Sequence, residues 1–259
     1  MNKKIVIGNL KMYVRTARER SAYIAKMRTL ARKEKEWHAD VVVCPPFVHL
    51  EYFAKNLPRQ IQCGAQDVWW TEDGSYTGEI SPAMLDTLDC HYAIIGHSER
   101  RTHGGETDEL VNRKIKTALA AGIHGVLCVG ESAEERSGSG IEKIAQQVRV
   151  ALSGVPRAHL ARLIIAYEPV WAVGTDVTPS SNDIMGARLL IRKVLTDLYG
   201  KNTAQKVRIL YGGSVHENTV DRVCREPGMD GVLVGRDSAV PEKLFALAGR
   251  CGAHLLQSE

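Results

Sequence analysis

The sequence lacks a long apolar run, and its opening MNKKIVIGNLKMY offers only a short one, interrupted by Asn9 and Lys11. That predicts neither a signal peptide nor a membrane span. It also lacks a dominant charge. Thirty-four Lys+Arg stand against 30 Asp+Glu, a net +4, and the two signs are interspersed. Such a pattern gives no expectation of nucleic acid or membrane as a partner, although a basic cleft for a small anion fits. The six cysteines, 44, 63, 90, 128, 224 and 251, include no CxxC pair. In a chain of this length they read as reduced cytosolic thiols, not as a disulfide framework or a zinc site. No linker, low-complexity tract or strong repeat divides the chain. With 44% hydrophobic residues over 259 positions, there is ample material for a core.

What is present is a recurrence. Short, nearly continuous apolar runs fall at Ile5–Gly8, Val41–Cys44, Ile61–Ala65, Tyr92–Gly96, Gly125–Val129, Leu163–Tyr167, Val207–Tyr211 and Gly231–Val234. Strands buried on both faces of a parallel sheet look like this. Between them, Arg15–Lys35, Thr107–Ala121, Ile141–Leu152 and Asn182–Tyr199 carry helical spacing, with Ser181-Asn182-Asp183 and Gly105-Glu106 as helix starts. Eight strands alternating with helices predict an α/β chain, a closed (β/α)8 barrel forming one domain over 1–259. The alternative is a doubly wound open sheet. Its Gly-rich dinucleotide turn is missing, because the first run is followed by Gly8-Asn9-Leu10-Lys11.

A barrel gathers its chemistry where strands end, so the polar residues just past each run carry the weight. Asn9 and Lys11, two apart, would point to one side of an extended strand and into the mouth; the alternative is a surface loop. His97, in Gly96-His97-Ser98-Glu99-Arg100-Arg101, would meet the positive end of a following helix, which favours a neutral imidazole. Glu99 and the two arginines could form a structural ion-pair network, the better reading for Arg101. Glu168 ends the sixth run, where partial loss of water would make it a stronger base, and Pro169 holds it extended. The apolar segment that follows, with Trp171, fits a lid that excludes water; the alternative makes Trp171 a core anchor. Gly212-Gly213-Ser214 and Gly235-Arg236 follow the seventh and eighth runs, where backbone N–H groups commonly hold phosphate.

Eight segments carry a resemblance. Besides Gly8-Asn9-Leu10-Lys11-Met12 and the His97 segment, they include Cys44-Pro45-Pro46, Gly64-Ala65-Gln66, Thr77-Gly78-Glu79-Ile80-Ser81, Cys128-Val129-Gly130-Glu131, Tyr167-Glu168-Pro169-Val170-Trp171-Ala172-Val173-Gly174-Thr175 and Tyr211-Gly212-Gly213-Ser214-Val215. Through them nearly the whole chain resembles the triosephosphate isomerase family. The resemblance implies a TIM barrel that interconverts dihydroxyacetone phosphate and glyceraldehyde 3-phosphate in glycolysis and gluconeogenesis, in the cytoplasm, with no cofactor and no metal. It implies Glu168 as the base, neutral His97 polarising the carbonyl, Lys11 stabilising the oxyanion and phosphate, and Asn9 bonding substrate oxygens. Gly174, Ser214 and Gly235 would offer N–H groups to the phosphate, with Arg236 beside them. Pro169, Val170, Trp171, Ala172, Val173, Gly174 and Thr175 would form the lid.

The family's homodimer implies that Thr77 reaches toward Asn9 and His97 of the partner subunit. The loop Asp67–Ser81, with Trp69, Trp70 and Tyr76, suits such an interface on its own account, unless the rings fold back on their own barrel. Several positions depart from the family pattern: Leu10 for tryptophan, Tyr13 for asparagine, Asp67 for asparagine, Asp176 and a shortened stretch after the lid, and Arg236 for glycine. They leave open a four-carbon ketose phosphate as substrate, or a phosphosugar-binding protein with a lid that cannot close. A Schiff-base aldolase acting through Lys11 is a further alternative.

Overall fold

A computed structural model describes residues 3–34, 37–136, 140–172, 179–225 and 228–252. The strands are β1 (Lys4–Asn9), β2 (Ala39–Cys44), β3 (Ile61–Ala65), β4 (Tyr92–Ile95), β5 (His124–Val129), β6 (Leu163–Tyr167), β7 (Arg208–Tyr211) and β8 (Gly231–Val234). All pair in parallel with their sequence neighbours, and β8 returns to β1 to close the barrel. The open-sheet alternative is thereby set aside.

Alternation along the strands sorts the core into two. Ile5, Ile7, Val42, Cys44, Tyr92, Ile94, Val126, Cys128, Ile164, Ala166, Leu210 and Leu233 form one cluster inside the barrel. Their neighbours, among them Val6, Val41, Ile95, Leu127, Ile165 and Val234, join the helices in a second, outer core. One step beyond the inner cluster, the same alternation places Asn9, Gln66, Gly130, Glu168, Gly212 and Gly235 around the mouth. Each buried Ile or Leu contributes about 1.5–3 kcal/mol, so this register is strongly fixed: a slip of one residue would turn the inner set outward.

The helices are α1 (Ala17–Lys33), α2 (Leu50–Asn56), α3 (Pro82–Asp86), α4 (Ser98–Gly104), α5 (Asp108–Ala120), α6 (Ala133–Arg136), α7 (Gly140–Ala151), α8 (Ser181–Tyr199), α9 (Lys201–Ala204), α10 (Glu217–Arg225) and α11 (Pro241–Gly252). Their starts correct two sequence expectations. Ser180, one residue earlier than expected, caps α8 by accepting from Asp183 N–H. Gly105 does not start α5: it ends α4 in a left-handed conformation, and Thr107 caps α5 through Leu110 N–H. The helix expected over Arg15–Lys35 begins after Thr16, which forms a reciprocal capping box with Glu19. Its last expected residue, Lys35, lies outside the described residues. No described helix is long and apolar enough to cross a membrane.

Candidate active site

Glu168 follows β6 and is 2% exposed. Its N–H bonds to Val129 O at 2.8 Å, fixing the backbone against β5. The side chain lies between two glycines. A Cβ built on Gly130 would meet Glu168 O at 1.7 Å, and one on Gly212 would meet Glu168 Cγ at 2.9 Å. Only glycine on the flanking strands leaves a carboxylate room here. Oε2 accepts from Ser98 N–H at 3.0 Å, while Oε1 has no hydrogen-bond partner. It faces His97 Nε2 at 3.3 Å.

His97 owes its place to Gly96, whose φ of 72° breaks the β4 alternation and turns the chain into α4. The imidazole caps that helix, with Nδ1 accepting from Glu99 N–H at 3.2 Å. A nitrogen that accepts carries no proton, so Nε2 holds it and presents an N–H toward Glu168. The sequence expectation of a neutral ring at a helix start is consistent with this hydrogen bond.

Lys11 departs from the sequence reasoning. It does not continue β1. Asn9 is the last strand residue, and Lys11 sits in a turn at φ 45°. Asn9 Oδ1 accepts from Lys11 N–H at 3.0 Å and stabilises that turn. Gln66 Nε2 donates to the carbonyls of Lys11 and Cys44, at 3.0 Å each. The ammonium reaches the mouth by this route: Nζ lies 2.6 Å from Glu99 Oε1. Glu99 is partly buried, yet the hydrogen bond and charge of Lys11 hold its carboxyl below the usual range. Glu99 thus pairs with Lys11 and not with the arginines, while Arg101 takes the structural ion-pair role expected of it. Arg101 bonds Asp108 at 2.6 Å and Gly96 O at 2.8 Å, and Arg100 turns to Asp67 and Glu106.

Of the segment expected to form a lid, Pro169–Ala172 is described, with a 3-10 turn over Val170–Ala172. Trp171 is not a core anchor; it is half-buried, and its Nε1 donates to Glu131 Oε1 at 2.8 Å. The same oxygen accepts from Tyr167 OH at 3.0 Å. Arg136 lies 3.7 Å over the indole. Ser214 Oγ donates to Ala172 O at 2.9 Å and ties this 3-10 turn to the turn after β7. Val173, Gly174, Thr175 and Asp176 lie outside the described residues. A Cβ on Gly235 would lie 3.6 Å from Lys11 Nζ, so the β8 turn borders the ammonium. Arg236 is exposed, and Leu10 is fully buried in the outer core.

Sequence reasoning gave no role to Glu131 or Ser98, the groups that hold Trp171 and the Glu168 carboxylate. Nor did it find the buried cluster beneath the Asp67 loop. Lys114, with no exposed side chain, contacts Asp67 at 2.7 Å and Glu106 at 2.5 Å, and Arg100 contacts the same two carboxylates. Burial, with Glu106 nearby, pushes Asp67 up to about 6 against the pull of Lys114 and Arg100. Burial also works against Glu106, but Lys114 and Arg100 outweigh it and hold that carboxyl low. A lysine at a periodic helix position carries no sequence mark of burial, so only a three-dimensional partner reveals it.

A family model described as triosephosphate isomerase matches residues 4–251. The triosephosphate isomerase of Dictyoglomus thermophilum is 42% identical over 248 residues, covering 95% of this chain and 98% of the relative. That of Thermoanaerobacter pseudethanolicus is 42% identical over 242 residues, covering 93% and 96%. That of Clostridium botulinum strain Langeland is 41% identical over 249 residues, covering 95% and 99%. Matches of this extent place the chain in the triosephosphate isomerase family.

Proposed function

We propose that Glu168, His97, Lys11 and Asn9 carry out the family's reaction in this chain, the interconversion of dihydroxyacetone phosphate and glyceraldehyde 3-phosphate. The supporting observation is the 3.3 Å approach of an unpartnered Glu168 oxygen to His97 Nε2. A base and a proton donor lie side by side in a buried site. A substrate set between them offers Glu168 the proton beside its carbonyl and His97 the carbonyl oxygen. Negative charge developing on the enediolate falls near the Lys11 ammonium, which a water-poor site makes more effective. Asn9 shapes the Lys11 turn and orients the substrate oxygens. Gly174, Ser214 and Gly235 bind the phosphate through their backbones, while the exposed Arg236 faces solvent and adds little. The segment Pro169–Thr175 closes over the site and shields the enediolate from loss of phosphate.

We further infer one domain over the whole chain and a homodimer. Met12 and Val48 are 85% and 80% exposed, and Tyr13, Phe47, Tyr76 and Met84 also show apolar surface around the first three mouth loops. Residues 72–78, Thr77 included, are all exposed and form a tip that a second copy can bury. Trp69 and Trp70 follow the other expectation and fold back on α5, where Lys114 and Arg113 lie over their rings. Sedimentation should give twice the chain mass, and a monomer would refute the dimer. Six unpaired, buried cysteines support the cytoplasm as the working compartment.

A coupled assay of glyceraldehyde 3-phosphate turnover, run beside a four-carbon ketose phosphate, tests the reading. Fast triose turnover supports it. Preference for the longer sugar, or binding without turnover, contradicts it.

A further inference from the structure

We propose that Cys224 and Cys251 form a redox-responsive pair, closing to a disulfide under peroxide and stapling the last helix to its neighbour. Cys224 lies near the end of α10 and Cys251 near the end of α11, with Sγ atoms 3.0 Å apart and both residues buried. An ion pair holds the two helices in this register: Arg250 donates to Asp221 Oδ2 at 2.6 Å. Cys63 and Cys90 also neighbour each other, but among the described residues no ion pair between two helices holds that pair in register. Cys90 Sγ points to the carbonyls of Cys63 and Tyr92, and Cys128 Sγ to Val126 O.

The chemistry balances with one hydrogen peroxide. Cys224, the member with some residual exposure, attacks a peroxide oxygen, becomes the sulfenic acid and releases one water. Cys251 sulfur then displaces the sulfenic oxygen, which leaves as a second water. Two electrons pass from the sulfurs to the peroxide, and both thiol protons end in water. The hydrogen bond from Cys251 and burial push the Cys224 thiol well up. Little thiolate is therefore present at neutral pH, and the pair responds to sustained oxidant and not to a brief pulse.

The staple sits well placed for protection. At its other end α11 follows the turn that borders the mouth. There Ser238 Oγ donates to Asn9 O and Gly235 O, and Leu244 packs where a Gly8 side chain would lie. A bridge across 27 residues of separation restricts the unfolded chain and leaves the native site as it is.

The test treats the native protein with peroxide. The expected result is an intact mass lower by two hydrogens, a peptide linking Cys224 to Cys251, a melting temperature several degrees higher and unchanged kcat/KM. Dithiothreitol should reverse the shift, and Cys251→Ala should abolish it. Reversal by reductant keeps the test decisive if that variant does not fold. Three results would overturn the proposal: six free thiols after prolonged exposure, a bridge at Cys63–Cys90 instead, or a bridged protein that melts no higher.

Discussion

Two buried acidic sites in this chain are held in opposite ways. Under the Asp67 loop, both carboxylates contact Lys114 and Arg100, so each negative charge has a cation against it. At the mouth, Glu168 is equally buried, yet it has one backbone N–H, no cation, and an oxygen left open toward His97. Compensation makes a buried charge a structural fixture. Leaving it uncompensated costs stability and keeps an oxygen open to a neighbouring group. The contrast explains why Lys114 and Glu168, both nearly free of solvent, belong to different kinds of site.

Substitutions can break that contrast in order of effect. Glu168→Gln removes the open oxygen's basicity and should lower kcat by about 10³–10⁴-fold while phosphosugar binding persists. Steady-state kinetics and a competitive inhibitor check both halves; unchanged kcat would remove Glu168 from the reaction. Lys114→Met should do the reverse. It strands two buried carboxylates beside a half-exposed arginine, at a cost of about 3–5 kcal/mol. Urea unfolding should show the loss, and the folded fraction should keep its kcat.

Trp171→Phe keeps the ring under Arg136 but deletes the bond to Glu131. Losing a hydrogen bond to a carboxyl beside the proposed lid should change kcat or KM about tenfold at most. Asp67→Asn is the mildest. Because folding raises the Asp67 pKa from an ordinary 3.8 to about 6, the folded state holds that proton more tightly. This contribution to stability is full below about pH 4 and is lost as pH rises to about 6. Unfolding curves of Asp67→Asn should lack that decline, and parallel curves for the two proteins would contradict it.

Much of this was legible in the sequence. The eight apolar runs match the strands within two residues at every end, because strands buried on both faces announce themselves by continuous hydrophobicity. Glu168 and Asn9 follow from position: each lies one step past an inward-facing run. The helices α2, α3 and α4 are at most seven residues long, too short for a helical period to show. By contrast α11 carries Leu244, Leu247, Ala248 and Cys251 at helical spacing, a signal the sequence does hold. Lys11 defeats strand logic because its turn depends on Asn9 and Gln66, one of them from another strand. The Asp67 cluster and the Cys224–Cys251 contact join segments far apart in sequence, and nothing local marks them.

The most direct test of an uncompensated Glu168 as the base is proton exchange. Dihydroxyacetone phosphate incubated with enzyme in heavy water should take up deuterium at the carbon beside its carbonyl, followed by proton NMR. The wild-type chain should exchange rapidly and Glu168→Gln should not, although it still binds the sugar. Exchange by Glu168→Gln at the wild-type rate would contradict the account.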